Sequence, residues 1–298
     1  MRWKAYAQLV RLPNLFTAAA DALAGYLVAG GSAHEVGRWG PLAGASMAIY
    51  AAGVALNDVF DRELDRVERP GRPIPSGRVS VPAAVALAAG LMAAALGLAG
   101  WVGGMGPPLV VASLLVGCVL GYDLGLRRTP LGPEVMGACR GLDVLLGMSL
   151  SARLGGPAGW AFAASIGVYV VGLTWVSRSE TRWGRAVGVS AGMTVQVVAV
   201  VALVAVAWLG PRRGVDAWDP ILGTAALAAV GGLVAAADRR ALIDPSPETT
   251  QRAVKRGVLA LVWLHVGVVA SLCGPAASLL VAALWLPAAS LGRHVYVT

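Results

Sequence analysis

The sequence predicts an all-α protein, a polytopic transmembrane helix bundle of nine or ten spans, and three observations carry that prediction. Of 298 residues, 57% are apolar and only 13% charged, with a mean hydropathy of +0.69, which excludes a soluble globular class. Ten apolar runs alternate with short polar segments, and several open on a proline, which suits the first turn of a helix. The 39 glycines, with abundant alanine, fit helices whose backbones pack closely in lipid, where small residues drive association.

The runs fall at 14–30, 41–57, 82–102, 108–122, 133–151, 157–175, 186–209, 220–237, 257–273 and 276–291. Arg2 and Lys4 ahead of the first run resemble the start of a secretory signal, but Arg11, Asn14 and Asp21 interrupt it, so it reads as a spanning helix. Gly274-Pro275 separates the last two runs only briefly, and the tenth contains Pro287; together they are two helices, or one span and an interfacial piece. No linker or low-complexity tract divides the chain, so residues 1–298 read as one domain. A weak internal period is present: polar loops follow the second span near Asn57 and the sixth near Ser177, four helices later, so two four-helix halves facing one cavity bring them together.

Charge sets the orientation. With the N-terminus inside, nineteen Lys and Arg fall on inner segments against four (Arg38, Arg153, Arg212, Arg213) on outer ones, with Arg140 inside a span. That asymmetry places the N-terminus and the loops after the even-numbered spans in the cytoplasm. It also explains the net charge of +8 without nucleic acid, because the basic residues are scattered between apolar runs. Cys118, Cys139 and Cys273 lack metal-site spacing, and His34, His265 and His294 are too far apart in sequence to suggest a metal site.

The most informative stretch runs from Ala55 to Arg66. If the second helix continues through it, Asn57, Asp61 and Asp65 fall at i, i+4 and i+8 on one face, with Asp58 beside them. Carboxylates stacked this way repel unless a counter-charge is present, and hard oxygen ligands with an open side suit Mg²⁺. The competing reading is a solvated helix end whose acids alternate with Arg62 and Arg66. The segment continues through Arg69, Arg72 and Arg78 among prolines, and guanidinium forks bind phosphate oxygens. Two further inner loops, Tyr122-Asp123 to Arg128 and Trp175 to Arg182, also combine acids, arginines and an aromatic; structural salt bridges are the alternative for each. Within the membrane, Asp21, Arg140 and Asp143 must face the interior or a cavity, and Arg140 and Asp143, at i and i+3, are placed to satisfy each other. Asn14, nearer the cytoplasmic end than Asp21, is the better site candidate of the two.

Asn57-Asp58-x-x-Asp61-x-x-x-Asp65, followed by Arg72-Pro73-Ile74-Pro75-Ser76-Gly77, resembles the first aspartate-rich motif of the UbiA superfamily of membrane prenyltransferases. Arg11-Leu12-Pro13-Asn14 and Tyr122-Asp123 are similar to that family too. The resemblance implies a helical bundle around a central cavity, with Mg²⁺ held between aspartates and the diphosphate of a polyprenyl donor, whose allylic cation a small acceptor attacks. It implies metal binding by Asn57, Asp58, Asp61, Asp65 and Glu180, and catalytic roles for Asp61, Asp65, Tyr122 and Glu180. Arg11, Arg72 and Arg127 would bind diphosphate, with Asn14 and Ser177 also contacting substrate. The second motif departs from the family: Ser177 to Thr181 holds a single acid, Glu180. The stretch from Tyr122 to Gly147 looks most like the bacterial EboC-like branch, which implies a bacterial inner membrane. A rival reading keeps the prenyl tunnel but not turnover, making the chain a prenyl-lipid binder or transporter.

Overall fold

In the computed structural model, which describes residues 2–178 and 186–294, the described chain forms α1 (Arg2–Leu9), α2 (Leu15–Val28), α3 (Val36–Phe60), α4 (Arg62–Glu68), α5 (Val81–Gly103), α6 (Pro107–Leu124), α7 (Gly132–Met148), α8 (Gly156–Ser177), α9 (Ala186–Leu209), α10 (Asp219–Ile243), α11 (Pro247–Cys273), α12 (Pro275–Ala283) and α13 (Trp285–His294). The helix boundaries follow local chemistry. Ser80 and Ser246 cap α5 and α11 by accepting the backbone N–H three residues on, with proline inside each first turn. Gly274, at φ 86°, ends α11 in a conformation that favours glycine.

Among the described residues, eight segments are long and apolar enough to cross a membrane. The last of them, Pro275–Gly292, is interrupted at Leu284 into α12 and α13. Helix α11 begins ten residues before the expected start at 257, because its capped first turns are helical though too polar to register as apolar. Two predicted spans, α2 with 14 residues and α7 with 17, sit in the middle of the bundle. Every residue of α2 except Phe16 is buried, and α2 packs against α3, α7 and α11. Lipid-sized apolar side chains project instead from the surrounding helices, as at Trp101, Val201 and Leu233.

Small residues set the contact between the central helices. A Cβ on Gly147 of α7 would lie 1.8 Å from the Ala22 carbonyl oxygen of α2, and one on Gly25 would lie 2.1 Å from that of Val144. Backbone meets backbone here, so neither helix can accommodate a methyl without moving. Gly147→Ala is therefore expected to cost ~1–3 kcal/mol through forced backbone shifts, read as a lowered thermal unfolding midpoint in detergent; an unchanged midpoint would show that α2 and α7 are not held this tightly.

Helices α8, α9, α10 and α11 pack successively as a second half. Arg178, at the end of α8, donates to the carbonyls of Arg127 and Thr129 at 2.8 Å each, so the loop after the sixth predicted span meets the loop after the fourth. At the opposite end, the loop after α2 closes on Glu35, which accepts from Tyr26 Oη at 2.5 Å, the Ser32 N–H at 2.9 Å and Arg38 at 3.1 Å. These donors, Tyr26 foremost, hold the Glu35 carboxyl down to about 2.

Candidate active site

Helix α3 ends at Phe60 and α4 begins at Arg62, so the continuous helix expected through the acidic stretch is broken at Asp61 (φ −93°, ψ 2°). Helix-spaced hydrogen bonds still bridge the break, from Asp61 N–H to the Asn57 carbonyl at 2.9 Å and from Asp65 N–H to the Asp61 carbonyl at 2.8 Å. The chain turns without losing its path, and the acids separate into two groups, each with its own arginine.

Asp61 is gripped by both guanidinium nitrogens of Arg127, each at 2.6 Å. Arg127 Nη1 also donates to Asn57 Oδ1 at 2.6 Å, and Asn57 Nδ2 to Asp61 at 3.1 Å. The second group is deeper. Arg72 Nη1 bridges Asp58 Oδ1 at 3.1 Å and Asp65 Oδ2 at 2.7 Å, and all three side chains are buried. The proline-rich loop folds back to place Arg72, with Ser76 N–H donating to the Arg72 carbonyl at 3.1 Å and Val79 N–H to that of Pro73 at 3.0 Å. Arg11 approaches Asp58 Oδ1 at 3.6 Å from a left-handed backbone (φ 48°, ψ 53°). Such a conformation costs ~1–3 kcal/mol in a residue with a Cβ, and it clusters at functional sites.

Among the described residues no three His, Cys, Asp or Glu side chains converge as a metal cage. The donors are nevertheless of the type Mg²⁺ takes: hard oxygens from Asn57, Asp58, Asp61 and Asp65. Each acid is presently neutralised by an arginine. A diphosphate that drew those guanidiniums to itself would free carboxylate oxygens for a cation.

Inside the mouth, a cavity of about 390 Å³ extends into the bundle, bordered by Arg11, Asn57, Tyr122 and Ser177 on the motif side. Its walls are largely aliphatic, as at Ile49, Val119 and Leu173. Asp58, Asp61, Asp65, Arg72 and Arg127 stand beside these residues without bordering the cavity themselves, and neither does Asn14, whose backbone carbonyl accepts from Thr17 at 2.8 Å. Glu180 lies outside the described residues.

Asp123 is a site residue that sequence reasoning quoted without assigning a role. It is buried on the cavity wall, and its Oδ2 has no hydrogen-bond partner. Its adjacency to Tyr122 at the helix end was the available signal.

The intramembrane charges also pair differently from expectation. Arg140 does not take Asp143 as its hydrogen-bonded partner; it forms an ion pair with Asp21 and donates to Thr17 Oγ1 at 3.0 Å. His265 Nε2 meets the other Asp21 oxygen at 2.5 Å, and the Arg140 guanidinium lies 5.1 Å above the Tyr50 ring. The α2–α7 contact explains the exchange, because it brings Asp21 directly beside Arg140.

Fold and site together define an integral membrane protein whose helical bundle encloses an aliphatic cavity beneath a mouth of paired acids and arginines. The profile of the UbiA prenyltransferase family matches residues 18–254, and the chain belongs to that family. It is 37% identical over 164 residues to a digeranylgeranylglyceryl phosphate synthase of Methanopyrus kandleri, covering 53% of this chain and 57% of that protein. It is 43% identical over 133 residues to the one of Ignicoccus hospitalis, covering 43% and 41%. The matched segments thus span 57% and 41% of the lengths of these two curated relatives. They are archaeal and named as digeranylgeranylglyceryl phosphate synthases, so they point away from the bacterial EboC-like branch. Among solved structures, a digeranylgeranylglyceryl phosphate synthase superposes with a TM-score of 0.65 at 20% identity, over 90% of this chain and 99% of that one. A UbiA homologue of Archaeoglobus fulgidus bound to GPP and Mg²⁺ superposes with a TM-score of 0.55 at 13% identity, over 86% and 99%; both likenesses concern the fold.

Proposed function

We propose that the protein is a Mg²⁺-dependent transferase that moves a polyprenyl group from its diphosphate to a small acceptor within the membrane. The carrying observation is the pairing of Arg127 with Asp61, and of Arg72 with Asp58 and Asp65, next to Asn57 and Arg11, which contact these pairs and border a largely aliphatic cavity. That arrangement suits a molecule with an anionic head and a hydrocarbon tail. The names of the archaeal relatives and the ligands of the Archaeoglobus structure support the same reading.

In this reading Arg127, Arg72 and Arg11 take the diphosphate oxygens, exchanging a carboxylate partner for a phosphate one. Asn57, Asp58, Asp61 and Asp65, with Glu180 contributing from the second half, would hold Mg²⁺, which would supply neutralisation of the charge on the departing diphosphate. The C–O bond to the prenyl carbon breaks and its electron pair leaves with the diphosphate. Aliphatic walls keep water from the allylic cation, which Tyr122 faces. The acceptor then bonds to that carbon and releases a proton. Ser177 orients substrate from the α8 side, and Asn14 supports the Arg11 turn. The mouth and the N-terminus face the cytoplasm.

The test is diphosphate release from geranylgeranyl and longer diphosphates, with and without a chelator. Release is expected to stop when the cation is removed; equal rates would remove the metal from the reaction. The alternative, a prenyl-lipid binder without turnover, is favoured by the solitary Glu180 of the second motif. A protein that binds prenyl diphosphate with Mg²⁺ but never cleaves it, even with acceptor present, would decide for that alternative.

Sidedness has its own measurement. Cysteines introduced at Arg69 and Arg128 are expected to label from the cytoplasmic side only, and one at Arg213 from the outside only. The reversed pattern would put the mouth on the wrong face for a cytoplasmic donor.

A further inference from the structure

A groove of about 270 Å³ opens on the outer face of the second half, between α9 and α10. No residue borders both it and the central cavity. Small residues create it. Ala228, Gly232 and Ala235 fall at i, i+4 and i+7 on α10, which is one face of a helix. A Cβ on Gly232 would meet nothing within 4 Å. Val197 and Val201 form the facing wall on α9, and both are exposed, so the groove is open to lipid from the side.

Its lining is apolar except where Gln196 of α9 and Asp238 of α10 meet. Both side chains are more than nine-tenths buried, and Gln196 Nε2 donates to Asp238 Oδ2 at 3.0 Å. That bond ties the helices together but satisfies only part of the pair. Gln196 Oε1 and Asp238 Oδ1 have no hydrogen-bond partner among the described residues. Tyr169, which also borders the groove, does not supply one, because its hydroxyl donates to the Gly257 carbonyl at 3.0 Å. Two acceptors without a donor are costly at this depth, so water or a ligand group must bring the missing hydrogen.

The groove is also placed as a lipid would be. Exposed Arg239 and Arg240 follow Asp238 directly, so its polar end lies near the membrane surface. From Asp238 back to Ala228 is ten residues of α10, about 15 Å at 1.5 Å per residue. That is half of a hydrocarbon layer of roughly 30 Å, or one leaflet. An extended chain advancing ~1.2 Å per bond covers the distance in about twelve bonds.

We infer that the groove between α9 and α10 binds a single-chain lipid whose head carries a hydroxyl. The hydroxyl donates to the free oxygen of Asp238 or Gln196, and the chain lies along Ala235, Gly232 and Ala228 toward the bilayer centre. A lipid whose head only accepts hydrogen bonds, such as phosphatidylcholine, leaves both oxygens bare. The site is separate from the proposed prenyl-transfer reaction and does not depend on it.

The experiment uses the full chain in phosphatidylcholine nanodiscs and dodecanol carrying a terminal diazirine, with photolabelled residues located by mass spectrometry. Label is expected on α9 and α10 along the groove. Dodecanol is expected to displace it at a bilayer mole fraction at least fivefold below that needed by dodecyl methyl ether, which keeps the chain and lacks the hydroxyl hydrogen. Gln196→Leu with Asp238→Leu is expected to abolish that preference. Gly232→Leu puts a side chain into open space, so it tests the site even if the double variant fails to fold; it is expected to cut labelling at least tenfold. Equal competition by the ether in wild type, or undiminished labelling in Gly232→Leu, overturns the inference. Displacement of the label by farnesyl diphosphate with Mg²⁺ would put the probe in the central cavity and overturn it too, as would crosslinks showing that α9 and α10 of a second copy cover the groove. No arm requires diphosphate release, so a protein without turnover would sink the transferase reading and leave this site standing.

Discussion

Replacing Asp61 with alanine is expected to lower prenyl transfer several hundred-fold, measured as diphosphate release at saturating donor and Mg²⁺. Asp61 is where both proposed binding groups meet, since it is gripped by Arg127 and hydrogen-bonded to Asn57. Its loss removes a cation ligand and also frees Arg127 from the geometry in which it waits for the diphosphate. Loss of a preorganised charge contact of this kind costs ~3–4 kcal/mol in the transition state. Because the two residues act as a unit, Asp61→Ala with Arg127→Ala is expected to be little worse than the poorer single variant. A rate within a few-fold of wild type for Asp61→Ala, in protein that still elutes as a folded species, would remove this residue from the site. Strictly multiplicative losses in the double variant would show instead that the pair does not operate together.

The second large effect is on stability. Arg140→Met leaves Asp21 fully buried in the middle of the bundle without its guanidinium, beside His265 and the Asp143 carboxyl. Breaking a buried ion pair by removing one member typically costs ~3–5 kcal/mol, because the uncompensated charge remains. A large fall in the thermal midpoint in detergent is expected. Adding Asp21→Leu should recover most of it, since replacing both charges by apolar groups is often neutral or stabilising. Failure of the second substitution to restore the midpoint would mean that Arg140 is held by contacts other than Asp21.

The two variants mark the boundary of what the sequence disclosed. Apolar runs locate the spanning helices, because a membrane span is a local property of its own residues, but not the polar α1 and α4 or the division of the last run into α12 and α13. The acids at Asn57 to Asp65 and the arginines near them are also legible, since they stand together in one short polar stretch between apolar runs. Which acid meets which arginine is not. Asp61 finds Arg127 at a separation of 66 residues, and Asp21 finds Arg140 at 119. The local alternative, Arg140 with Asp143 one turn away, loses because the glycine contact between α2 and α7 brings Asp21 alongside. Asp123 was given no role for a similar reason: its importance comes from being buried on a cavity wall with an unpartnered oxygen, which depends on neighbours from other helices. The break at Asp61 was hidden too, as nothing in the alternation of acids and arginines distinguishes a helix that turns there from one that continues.

The shortness of α2 and α7 also bears on the lipid around the protein. At 1.5 Å per residue, α2 is about 21 Å long and α7 about 26 Å, against a hydrocarbon layer of roughly 30 Å. A lone span of that length would thin the bilayer or tilt its anchors. These two are shielded from lipid by their neighbours, so hydrophobic mismatch is set by the outer helices alone. The element carrying Arg140 and Asp143 is thereby insulated from membrane thickness, and the shape of the cavity it borders remains a property of the protein rather than of the lipid in which it resides.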